Sequence, residues 1–190
     1  MDASDIKITA LDLGEAELSP DMQAMFDKCV AKFGFVPNVL RAYGHDDAKL
    51  SAFAAFYNGL MLAPSGLSKL EREMIAVAVS SHNRCFYCLV AHGAAVRVLS
   101  GEAGLGDALA ANYRVAGLPA RQRAMLDFSV KMAAASHEIV EADRDALRAA
   151  GFADRDIWDI AAVAGFFAMS NRIASAVEMR PNAAYFAMGR

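Results

Sequence analysis

The chain has 190 residues, 56% of them apolar and 22% charged, with a net charge of −3. That length holds one domain with a sizeable core and leaves no room for a second of full size. No Lys/Arg cluster offers a surface for nucleic acid or an anionic membrane, and the composition excludes a disordered chain.

The apolar share exceeds that of an ordinary soluble domain, so some apolar surface is expected to be buried between copies in a homo-oligomer. The acidic start MDASDIKITALDLGEAELSP has no apolar core and does not read as a secretory signal. The longest apolar run, Ile160 to Met169, is too short to span a bilayer. The expected location is the cytoplasm.

Helix signals follow one another along the chain. Ser19 and Pro20 open a first helix, Met22, Met25, Phe26, Cys29, Val30 and Phe33 recur along it at helical spacing, and Gly34 closes it. Gly34 to Asn38 is a turn, because the residue before Pro37 resists helix. Asp46 or Asp47 caps the next helix, which carries Leu50, Phe53, Ala54, Phe56 and Tyr57 and breaks at Ala63-Pro64-Ser65-Gly66. Ser68 and Glu71 form a capping box for a helix through Val79. The polar run Ser80-Ser81-His82-Asn83 predicts a break, and a new helix from about Arg84 ends before Gly101. Pro119 starts another, with Met125, Leu126, Phe128, Val130 and Met132. A short charged helix covers about Glu141 to Ala150 and closes at Gly151. The last long helix begins near Asp154 and is expected to end before Arg172. No strand-like alternation is present, so the fold class is all-α. The segments 76–84 and 162–172 are faintly alike, although matching them needs a gap of two residues.

The chemistry concentrates between Glu73 and His92. Cys85, Cys88 and His92 fall at i, i+3 and i+7, which lines them along one helix face. Thiols three residues apart can close a disulfide across a first helical turn. With Asn83 as the cap, Cys85 would sit in that first turn, where free N–H groups and the dipole favour thiolate. His92 lies one turn beyond Cys88 and can take its proton. Glu73 shares a face with Leu70, Ala76 and Val77, whereas Arg72 lies off that stripe. A carboxylate among apolar neighbours needs a partner and makes a better base near neutral pH. The lower pKa is expected at Cys88, on the ground that a base within reach outweighs part of a helix dipole.

The same residues leave other readings open. Cys85, Cys88 and His92 are a partial zinc set with Glu73 as the only evident fourth ligand, though three ligands on one helix are cramped for a tetrahedron. Haem attachment is disfavoured, because Leu89 stands where a histidine is required. No metal or other cofactor is called for. Tyr87 and His82 are further residues that could line the site. Cys29, Trp158, Phe166 and Phe167 read as core, and His45 and His137 as surface or capping residues.

Glu73, eleven residues, then Cys85-x-x-Cys88-x-x-x-His92 resembles the alkylhydroperoxidase D-like group of the carboxymuconolactone decarboxylase superfamily. Gly34-x-x-Pro37-Asn38 and Asn171-Arg172 are similar to the subgroup called uncharacterised peroxidase-related proteins, and the likeness runs from about Phe33 to Phe186. The resemblance implies a single all-helical domain over 1–190, with an N-terminal extension and first helix over 1–33 and a catalytic helix pair over 68–99. It also implies assembly as trimers or hexamers. In this family the second cysteine, here Cys88, attacks a hydroperoxide and the first, here Cys85, resolves the sulfenic acid as a disulfide. His92 and Glu73 relay the proton. The family often carries a histidine just before the second cysteine, where this chain has Tyr87. The implied partners are a small hydroperoxide and an external dithiol, on a lipoyl protein or a thioredoxin-like protein. A lactone-type decarboxylase and a general disulfide oxidoreductase are alternatives by fold analogy.

Overall fold

The computed structural model describes residues 7–190. Among them are nine α-helices and no strand: α1 (Pro20–Phe33), α2 (Asn38–Tyr43), α3 (Asp47–Met61), α4 (Lys69–His82), α5 (Phe86–Ser100), α6 (Leu105–Asn112), α7 (Ala120–Ala135), α8 (Glu141–Ala149) and α9 (Asp154–Ala176). No helix is long and apolar enough to cross a membrane.

The fold is built around α4. Its capping box forms as the sequence predicts: Glu71 N–H donates to Ser68 Oγ, and Ser68 N–H to Glu71 Oε2. From Met74 to Ser80 every residue is buried, and α5, α6, α7 and α9 pack around it. A helix apolar on all sides belongs at the centre of a bundle. The α5–α6 crossing is close because Gly106 lies against the backbone of Gly93.

Several boundaries differ from expectation, each for a stated reason. The serines predicted to break α4 lie inside it. Ser80 Oγ accepts from Asn171 Nδ2 and Ser81 Oγ donates to the Ala110 carbonyl, so neither competes with the helix backbone. The turn comes later, at Arg84 with φ 55°, and α5 starts at Phe86 with Cys85, not Asn83, at its N-cap. Helix α9 runs past Arg172 to Ala176, because Asn171 is buried and bonded rather than a terminator. Asp46 provides the cap of α3.

Three residues expected elsewhere also move. Trp158 is 75% exposed, since Ile157 and Ile160 turn the inward face of α9 away from it. Cys29 is half-buried, because α1 leans on the domain by one edge and buries no residue fully. Arg72, placed off the apolar stripe, is more buried than Glu73. Its guanidinium donates to the carbonyls of Leu60 and Ala63, which lie at the C-terminal end of α3.

The C-terminal segment folds back over α5. The buried guanidinium of Arg97 donates to the carbonyls of Met188 (2.9 Å) and Tyr185 (2.7 Å), holding the turn Ala183–Phe186 in place.

A Cβ added at Gly106 would meet Gly93 O at 2.6 Å, and backbone cannot yield as a side chain can. Gly106→Ala is therefore expected to destabilise the domain by about 1–3 kcal/mol, read from urea unfolding. A midpoint equal to that of the parent chain would mean that α5 and α6 have room to separate.

Candidate active site

Three helices bring the site together. Helix α4 supplies Glu73 and Ser80, α5 supplies Cys85, Cys88 and His92, and α9 supplies Asn171 and Ser175. His92 Nδ1–H donates to Glu73 Oε2 at 2.6 Å, and both side chains are 13% exposed. The ring of Phe167 meets the imidazole edge-on, with centroids 4.6 Å apart. A carboxylate this secluded requires a partner, and the imidazole provides it. With Nδ1–H committed to the carboxylate, Nε2 is the nitrogen free to accept a proton.

Both thiols are free and buried. Cys85 stands at the N-cap of α5, where the first-turn N–H groups have no partner within the helix. The thiol and backbone N–H of Cys88 and the Ser175 hydroxyl lie within hydrogen-bond reach of its sulfur. With His92 nearby, they bring the Cys85 pKa down to about 6 against the cost of burial. The proton stays on Cys88, whose pKa is pushed well up by its bond to Cys85, by burial and by the neighbouring charge. The sequence expectation puts the lower pKa at Cys88; the fold puts it at Cys85, chiefly because the Cys88 thiol donates its hydrogen bond to the Cys85 sulfur.

Cys88 has its own polar support. Ser80 and Asn171 are within hydrogen-bond reach of its sulfur. Asn171 Nδ2 donates to Ser80 Oγ at 2.9 Å, and Asn83 Nδ2 donates to Asn171 Oδ1 at 2.9 Å. This chain ties the end of α4 to α9 behind the thiols.

A cavity of about 480 Å³ opens beside Cys85, walled by Phe86, Tyr87, Met179 and Phe186. Cys88 does not line it. Two of its edge residues, Arg84 (φ 55°) and Glu178 (φ 51°), are the only non-glycine residues in the left-handed region among those described.

Glu73 thus pairs with His92, and Cys85 with Cys88. Tyr87 lies in the small apolar cluster that encloses both thiols. Its hydroxyl is not aimed at sulfur: it accepts from Val39 N–H at 3.1 Å and contacts Tyr185. His82 is exposed at the end of α4, away from the cluster. His45 caps the end of α2 through the Ala42 carbonyl. The zinc alternative finds no fourth ligand, since among the described residues no group of three or more His, Cys, Asp or Glu is gathered for a metal. Ser80 and Ser175 were missed from sequence; the one available signal was that serines flank the motif and the end of α9.

The carboxymuconolactone decarboxylase family model matches residues 49–102, which include all four motif residues. A solved uncharacterized peroxidase-related protein from Silicibacter sp. TM1040 is 61% identical, with full coverage of both chains and a TM-score of 0.94. This chain belongs to the alkylhydroperoxidase D-like, peroxidase-related branch of the carboxymuconolactone decarboxylase family. A second peroxidase-related member of that branch, an alkylhydroperoxidase AhpD core from Ralstonia eutropha JMP134, is 47% identical. It covers 97% of this chain and 98% of its own, with a TM-score of 0.94. The debrominase Bmp8 shares the fold at 19% identity, with 98% and 97% coverage and a TM-score of 0.74. No curated protein matches the sequence significantly.

For this family member, alkylation of Cys85 by iodoacetamide is expected to reach half its plateau rate near pH 6, as the thiolate forms. An ordinary thiol does so near pH 8.5. Reactivity is lost as the pH falls below the midpoint. A midpoint above 8, followed by peptide mass spectrometry, would show that the N-cap donors do not hold the charge.

Proposed function

We propose that the protein is a thiol peroxidase that reduces an organic hydroperoxide through a dithiol–disulfide cycle on Cys85 and Cys88. The observation carrying this reading is a pair of free, buried thiols within hydrogen-bond reach of each other, beside a Glu–His pair. Membership of a peroxidase-related family supports the same general chemistry.

In the proposed cycle His92 Nε2 takes the Cys88 proton, while Glu73 steadies the imidazolium. The Cys88 sulfur attacks the terminal oxygen of ROOH: the S–O bond forms, the O–O bond breaks, and the proton on His92 passes to the departing alkoxide as ROH. The Cys85 thiolate then attacks the sulfenic sulfur. The S–S bond forms and hydroxide leaves, taking a proton to become water. A pKa near 6 keeps Cys85 ready for this step at neutral pH. An external dithiol, on a lipoyl or thioredoxin-like protein, then exchanges with the disulfide. It leaves as its own disulfide and restores both thiols. Assignment of attack to Cys88 follows the family resemblance.

A second reading reverses the two cysteines. It is favoured by the cavity, which is lined by Cys85 and not by Cys88, and by the resting charge on Cys85.

The need for a reducing partner points to the cytoplasm as the setting. We propose also that the chain works as a homo-oligomer, a trimer or hexamer. The supporting observation is that α1 buries none of its residues, while Val30, Phe33, Phe56 and Leu62 are exposed. Light scattering that reports a monomer at micromolar concentration would end that proposal.

Cys88→Ser is expected to abolish hydroperoxide turnover with helicity retained, and Glu73→Gln to lower kcat by about 100-fold or more. A sulfenic-acid trap should label Cys88 in Cys85→Ser; labelling of Cys85 in Cys88→Ser would establish the reversed order. Turnover at the parental rate in Cys88→Ser would sink the Cys88 assignment.

A further inference from the structure

The cavity beside Cys85 is more elaborate than a hydroperoxide's two oxygens require. Its volume of about 480 Å³ is that of a site for an organic ligand. Cys85 lies at the floor. Phe86 and Phe186 form one wall with ring centroids 6.3 Å apart, and they remain 60% and 50% exposed. Two aromatic rings held together and left open to water form an apolar surface with no partner in the chain.

Arg84 and Arg180 stand among the lining residues, and neither is ion-paired with a carboxylate among the described residues. Glu178 shares the edge, unpaired as well, so the mouth holds two cations against one anion. The edge is rigid by construction. After α4, Arg84 N–H donates to Ser81 O and Cys85 N–H to Ser80 O. After α9, Glu178 N–H donates to Ser175 O and Met179 N–H to Ala174 O. The two helix ends therefore fix the two left-handed residues, Arg84 and Glu178, around the mouth.

We propose that this cavity binds an amphipathic organic anion of medium chain length. Its carboxylate pairs with Arg84 and Arg180, its apolar body lies on Phe86 and Phe186, and its far end reaches the Cys85 sulfur. The ligand's role rests on the peroxidase reading, as the reducing dithiol where Cys88 meets the peroxide and as the hydroperoxide in the reversed order; the binding itself does not.

The test uses the whole reduced protein and two alkylating probes. Each reacts by the same balanced step: Cys85 Sγ bonds to carbon and iodide leaves. Neutral iodoacetamide reports the thiolate, and the ratio of iodoacetate to iodoacetamide rates, compared with that of a free thiol, reports attraction of an anion. The ratio is expected to exceed the free-thiol value and to fall about 3- to 10-fold in the double variant Arg84→Gln/Arg180→Gln. Salt at 0.5 M should lower it in the parent chain. Arg180→Gln alone, which lies outside the α4–α5 turn, should give part of the fall, and Arg180→Lys should restore it. Decanoate should protect Cys85 from iodoacetamide saturably, and decanol should do so more weakly. A ratio that stays within twofold of the parent in the double variant, or no protection by decanoate, overturns the proposal.

The source of the ligand is read separately. kcat/KM is compared for a carboxylate-bearing hydroperoxide against its methyl ester, and for a carboxylate-bearing dithiol against its amide. The pair that loses its charge preference in Arg180→Gln identifies the ligand. If the alkylation results hold and no hydroperoxide is consumed at all, the anion site stands and the peroxidase reading falls.

Discussion

The site depends on the sulfur at the start of α5, a position where helices usually place a serine or aspartate oxygen to accept an orphan N–H. That substitution sets the rest of the site in motion. Around this sulfur lie the Cys88 N–H and S–H, one turn on, and the Ser175 hydroxyl from α9. The thiol three residues later is then obliged to keep its proton. An ordinary pair of buried cysteines becomes an acid and a base sharing one hydrogen, with an imidazole and a carboxylate beside it to receive that hydrogen when the chemistry needs it gone.

Holding such a group inside a helical bundle needs polar support that does not open the core. The chain solves this with short side chains. Ser80, Asn83 and Asn171 form a line from the end of α4 into α9, each satisfying the next, and Glu73 is closed off by His92 and the edge of Phe167. A fully connected network of this kind costs little and fixes a single arrangement, whereas one missing partner would leave a buried polar atom bare. The arginines serve the scaffold in the same way. Arg72 satisfies carbonyls at the end of α3, and Arg97 holds the returning tail.

Much of this was legible in the sequence, and the parts that were not share a cause. Helical spacing and capping residues gave the all-α fold, whereas Cys85 lies just outside α5, at its N-cap. The partnered carboxylate at Glu73 followed from its apolar neighbours. The misreadings arose where a polar residue finds its partner far along the chain. Ser80 and Asn171 lie 91 residues apart, and neither terminates its helix because each satisfies the other. The lower pKa of Cys85 depends in the same way on Ser175 and on the two-residue shift of the α5 start, neither of which local pattern reveals. Trp158 differs for a simpler reason: size and apolarity say nothing of which side of α9 a residue occupies, and Trp158 lies on the outward side.

The tail held by Arg97 gives the site an unequal construction. The sulfurs, the imidazole and the carboxylate all sit on α4 and α5, while Phe186 walls the cavity from the short turn Ala183–Phe186, held in part by Arg97. Reactivity and recognition are thus carried by separate pieces of chain with very different tolerance for change. Drift in a handful of late residues can remodel what the pocket accepts and leave the sulfur chemistry intact, so relatives with the same motif need not share a ligand.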